Sequence, residues 1–191
     1  MGKPAVRHAP ESDVISMIEV DAVRTDEGVD MGVKETLKSQ YRAPLEMLKQ
    51  AIVECPESLW YDPEYKNPFW HIAYHVLFYA HFYLQPSEKD FVPWEKHKEE
   101  YVSLGSSEGR AGEPYSKEEI LAYLGLCWEQ VEEQVTGMDL RAESGFYWLP
   151  FDKLELQIYN IRHLQQHTGE LCERMGTKGD IEVGWVGMKP G

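Results

Sequence analysis

The chain has 191 residues and a formal net charge of −14, from 19 Lys plus Arg against 33 Asp plus Glu. That length suits one domain with a real core, and 42% hydrophobic with 27% charged residues is the balance of a soluble globular protein. The acidic excess repels phosphate backbones and anionic lipid, so neither nucleic acid nor membrane is expected as a partner.

Cys55, Cys127 and Cys172 are scattered, with no CxxC pair. They do not read as a secreted disulfide framework. Each falls in an apolar helical pattern and is expected to be a buried free thiol. The opening residues, Met-Gly-Lys-Pro-Ala-Val-Arg-His, carry no apolar signal core. The expected location is therefore cytoplasmic.

In chain order, residues 1–31 are acidic and weakly patterned and read as an N-terminal arm. A first helix is predicted from about Gly32 to Cys55, because Val33, Leu37, Tyr41, Leu45, Leu48 and Ile52 recur at spacings of three and four. Pro44 inside it predicts a kink or a second start, and Pro56 closes it. The second helix is predicted over Asn67–Leu84, with Asn67 as N-cap and Pro68 at the first helical position. This most apolar run is too short and too rich in histidine to span a membrane. Being apolar nearly all round, it reads as a buried helix.

Residues 85–115 form a long connection, in which Phe91, Trp94 and Tyr101 predict local packing. Such a length permits the helices on either side of it to run parallel. The third helix opens on a capping box, Ser116 with Glu119, and extends to about Val135. Ile120, Leu124, Trp128, Val131 and Val135 form its inner stripe, and Glu129, Glu132 and Glu133 its solvated face. The fourth opens at Asp152, with Glu155 three residues on, and is expected to stop at Gly176. Residues 177–191 are a tail whose run from Ile181 to Gly187 reads either as a short strand or as a surface segment that tucks Trp185. The fold class is thus all-α: a four-helix bundle over residues 32–176, with the long connection between helices two and three.

Seven histidines are present, and two pairs stand at i,i+4 inside predicted helices, His71/His75 and His163/His167. That spacing places both imidazoles of a pair on one helix face, one turn apart, within reach of a single divalent ion. Zinc and nickel both accept neutral imidazole nitrogen. A lone buried histidine is usually a core residue with one hydrogen bond, but two adjacent buried rings need partners that one metal supplies together. On helix two, His81 projects about 120° from His75 and His71 about 40°. Either His75 or His71, or both, can therefore complete the site.

On helix four, Asn160, His163, His167 and Glu170 lie within about 80° of one another. Glu170 is a candidate to accept an imidazole N–H or to orient a water, set against its plain reading as a surface carboxylate. Tyr79, one turn after His75, reads as core. Cys172 projects about 140° from His167 and cannot reach the same ion. Any nucleophile must then come from outside the chain.

Phe69-Trp-His-Ile-Ala-Tyr-His-Val-Leu-Phe78 and Tyr159-Asn-Ile-Arg-His-Leu-Gln-Gln-His-Thr-Gly-Glu-Leu171 together resemble the DinB-like (DinB/YfiT-like) superfamily of metalloenzymes. The resemblance follows helix order over residues 32–175, with its specific motifs confined to those two segments. It implies that His75 is the helix-two ligand beside His163 and His167. It implies a four-helix bundle holding zinc or nickel, often as a homodimer. The activities it implies are transfer of a low-molecular-weight thiol to a small-molecule electrophile, thiol-dependent isomerisation, or metal-dependent hydrolysis. The alternative is a bundle that binds a metal or small ligand without catalysis.

Overall fold

The computed structural model describes residues 11–105 and 112–188, with side chains from Gly28 onward. Among these residues the chain is all-α, with five helices and no strand. They are α1 (Glu11–Glu54), α2 (Glu57–Trp60), α3 (Phe69–Leu84), α4 (Lys117–Gly137) and α5 (Lys153–Gly179), with 3₁₀ turns at Glu88–Asp90 and Glu99–Tyr101. None of the helices is long and apolar enough to cross a membrane. Residues 36–191 form one compact unit.

Helix α1 starts at Glu11, well before the predicted Gly32. Residues 11–31 are weakly patterned but contain no proline, and the helix extends through them. The helix runs unbroken through Pro44, with no second start. Its stripe of Leu37, Tyr41, Leu45, Leu48 and Ile52 is buried as expected. Glu132 departs from the predicted solvated face of α4: its Oε1 accepts from Arg42 Nε of α1 at 2.6 Å.

Asn67 is not the cap of α3. Pro68 holds that position, with no side-chain cap bond. The Asn67 carboxamide instead accepts from the backbone N–H of Gly105 at 3.1 Å, fastening the long connection to the start of α3. Fourteen residues of α3 are buried, and only Tyr79 and Phe82 are not. This is the all-round burial that its composition predicts.

Two neighbours supply most of that burial. Along α4 the partners rise together: Tyr74 meets Tyr123, the Leu77 carbonyl accepts from the Cys127 thiol at 3.4 Å, and Gln85 Nε2 donates to Gln130 at 3.0 Å. Helices α3 and α4 therefore run parallel. Along α5 they run in opposite order, from Asn160 Nδ2 on the Ala80 carbonyl at 3.1 Å to Gln157 Nε2 on that of Tyr83 at 3.2 Å and Lys153 Nζ on that of Gln85 at 2.8 Å. That pair is antiparallel. The last two donors also serve carbonyls at the α3 C-terminus that the helix leaves without an intrahelical partner.

The 85–115 connection packs through its aromatics rather than through a full helix. Trp94 stacks on Tyr123 with centroids 4.5 Å apart, and Tyr115 stacks on Tyr74 at 4.7 Å. Short α2, unforeseen in the sequence, delivers Trp60, whose indole N–H donates to the Tyr115 carbonyl at 2.9 Å. Cys55 and Cys127 are buried free thiols as expected, whereas Cys172 is half-buried.

Helix α5 passes Gly176 and ends at Gly179, capped by Asp180 in the left-handed conformation (φ 52°). One interior glycine costs only about 1 kcal/mol against alanine, too little by itself to stop a helix. The tail beyond pairs with no strand. It runs back toward α1, where Gln40 Nε2 reaches the Gly187 carbonyl at 3.5 Å, and leaves Trp185 74% exposed rather than tucked.

The predicted capping box is present in full, with Ser116 Oγ accepting from the Glu119 N–H and the Glu119 carboxylate accepting from the Ser116 N–H. Replacing Ser116 with Ala should lower unfolding free energy by about 1 kcal/mol. In urea titration this appears as a lower midpoint with an unchanged slope.

Candidate metal centre

The antiparallel crossing of α3 and α5 sets His75 opposite His163 and His167. The Nε2 atoms of His75 and His163 are 3.2 Å apart, and one ring nitrogen from each of the three lies within 4.8 Å of the others. The rings meet edge to face, with centroids 5.2 Å, 5.0 Å and 4.8 Å apart for the three pairs. No cysteine or carboxylate joins this cluster among the described residues.

His71, the other ligand candidate on α3, is directed elsewhere. Its Nε2 is 2.9 Å from the Tyr101 carbonyl, and a carbonyl can only accept, so that nitrogen carries the proton and has no lone pair for an ion. His81 is likewise apart from the triad, with Nδ1 3.3 Å from the Tyr123 hydroxyl.

The same reasoning fixes the tautomers of two triad members. His75 Nδ1 lies 2.6 Å from the Val102 carbonyl, so it is the donor and Nε2 presents its lone pair. His167 Nδ1 lies 3.1 Å from Glu170 Oε2, and a carboxylate acceptor again leaves Nε2 unprotonated. Glu170 is held in turn by Arg174, whose Nη2 donates to Oε1 at 2.7 Å and whose Nη1 donates to the Asn67 carbonyl at 2.8 Å. The Arg174 guanidinium also lies over the Tyr65 ring, 4.1 Å from its centroid. Glu170 thus accepts an imidazole N–H and is tied to Arg174, so it is not a free surface carboxylate.

These donors fit a divalent ion. Two imidazole nitrogens on one tetrahedral zinc stand roughly 3.3 Å apart, close to the 3.2 Å between His75 and His163. His163 Nδ1 is buried without a hydrogen-bond partner, so nothing but its Nε2 side anchors that ring. Burial favours the neutral rings that metal binding requires. It pulls His75 down to about 3, against the opposing pull of the Val102 carbonyl and with help from His163, His167 and His71. It pulls His163 down to about 4, reinforced by His167.

Sequence reasoning located the three rings but missed what holds them. The Val102 carbonyl is backbone and leaves no trace in residue type. Arg174 was legible in principle, standing four residues after Glu170, where i,i+4 ion pairs form. A separate open cleft of about 830 Å³, lined by residues including Ser87, Lys89, Arg141 and Asp152, shares no residue with the triad.

Neutral His75, His163 and His81 are favoured by the fold, His81 through burial that lowers it to about 4. Below pH 6.5 the unfolded chain takes up protons before the folded one does, so stability falls with pH. Metal-free protein should hold full stability above that pH and lose it progressively as the pH approaches 4, where His163 and His81 titrate. Urea midpoints at neutral and mildly acid pH check this, and His81→Phe should shrink the difference between them. No family model, no curated protein and no solved structure matches this chain.

Proposed function

We propose that α1, α3, α4 and α5 form a four-helix bundle of the DinB/YfiT type that holds one divalent ion, zinc or nickel, through His75, His163 and His167. The observation that carries this reading is the convergence of three imidazole nitrogens within 4.8 Å, two of them freed for coordination because their Nδ1 protons are committed elsewhere. Three neutral ligands leave positions open on such an ion. The chemistry it supplies when bound is acidification of a thiol or water near neutral pH.

The residues of the chain supply orientation and dryness. Val102 holds the His75 proton, Glu170 holds that of His167, and the buried flank of α3 keeps water from the ligand side. With no thiolate in the cluster among the described residues, the nucleophile comes from solution. A low-molecular-weight thiol added to a small electrophile is the reaction that best suits this gap and the motif resemblance, and water in its place gives hydrolysis. The same resemblance supports a homodimer that acts on small molecules, and the net charge of −14 disfavours a nucleic-acid partner.

Protein purified without a metal-affinity tag should contain one equivalent of zinc or nickel by elemental analysis. His163→Ala should lose it and His81→Ala should keep it. Glu170→Ala should weaken metal affinity about 10- to 100-fold, the usual cost of removing a hydrogen-bond partner of a ligating histidine. Metal retained in full by His163→Ala would refute the site. Metal-loaded protein should turn over members of a panel of electrophiles and esters faster than His163→Ala does, with thiol dependence separating transfer from hydrolysis. Equal rates on every compound would leave a binding module without catalysis.

A further inference from the structure

Helix α3 meets solvent only at Tyr79 and Phe82, and Tyr79 is also the residue that touches the triad. Its ring centroid lies 5.0 Å from that of His75 and 5.4 Å from that of His163. On α5, Tyr159 stands one turn before His163. Because the two helices are antiparallel, one turn after His75 and one turn before His163 fall at the same end of the site. Tyr159 is 38% exposed and packs edge-on to Tyr83 at 5.8 Å. Farther out, Trp148 is 40% exposed and lies nearly parallel to Phe82, at 16° and 6.4 Å.

We infer that one side of the triad continues into an aromatic subsite, walled by Tyr79 and Tyr159 and edged by Phe82 and Trp148, which takes a flat, uncharged aromatic group of the substrate. The inference rests on the metal reading above. Aromatic faces left at solvent beside a buried polar cluster are costly unless something covers them. Rings bind rings in offset or edge-on geometry at centroid distances of about 4.5–7 Å, the spacing that Phe82 already keeps with Tyr79 and with Trp148. The four side chains carry no charge to pair with an ionic group. A cationic substituent would also meet repulsion from a divalent ion one turn away.

Two hydroxamates with the same chelating head test this on zinc-loaded protein by calorimetric titration. Benzohydroxamate carries a ring and acetohydroxamate only a methyl group. Wild type should bind benzohydroxamate at least about tenfold more tightly, a gap that one buried, stacked ring can supply. Tyr159→Ala, at an exposed position, should bring the ratio toward parity while acetohydroxamate affinity stays unchanged, and Tyr79→Leu, which keeps apolar volume, should also bring the ratio toward parity. Equal affinity for the two compounds in wild type would overturn the subsite alone, as would a preference undiminished in both variants. Failure of the protein to retain zinc, measured separately, would instead sink the metal reading and this inference with it.

Discussion

Burying α3 on nearly every side while it carries three imidazoles imposes the constraint from which the rest follows. Each ring has two nitrogens, and an unpartnered polar atom in a dry interior costs kilocalories. The chain meets the demand with backbone: the Tyr101 carbonyl for His71, the Val102 carbonyl for His75, and a tyrosine hydroxyl of α4 for His81. The connection after α3 must therefore lie along α3 with its carbonyls turned inward. Its length, its aromatic anchors and its bond to Asn67 are what let it do so.

Helix α5 answers the same constraint from the opposite flank. Its side chains donate to two α3 carbonyls, of Ala80 and Tyr83, and to that of the C-cap Gln85, and these bonds set the register of the two helices. That register brings His163 and His167 across from His75. The triad is thus a by-product of how a polar-bearing apolar helix is covered, and its geometry is only as firm as that packing. The Glu170–Arg174–Asn67 chain adds a second tie between α5 and the start of α3.

Much of this was legible in residue order. The apolar stripe of α1, the capping box at Ser116 and the buried character of α3 each rest on local rules, and tertiary context did not override them. The i,i+4 histidine pair on α5 was legible for the same reason. On α3, helical angles left His71 and His75 both open, because the choice turns on which backbone carbonyl meets which ring. Periodicity also failed at residues 11–31, where the pattern is weak, and at Gly176, a weak local stop that the helix passes by one turn. Asn67 was misread because its carboxamide found a distant N–H in place of its own helix.

The segment that holds the His75 proton is short and irregular, with a single 3₁₀ turn at Glu99–Tyr101. It is tied down by the Tyr101 ring against Trp70, at 4.8 Å, and by the Gly105 N–H on Asn67, with no ladder of backbone bonds among the described residues. Segments of this kind open locally far more often than the whole domain unfolds. Each opening releases His75 to turn about its side-chain bonds. For any ion held there, residence time is then tied to the breathing of this segment, and amide exchange at residues 101–103 is the clock that keeps it.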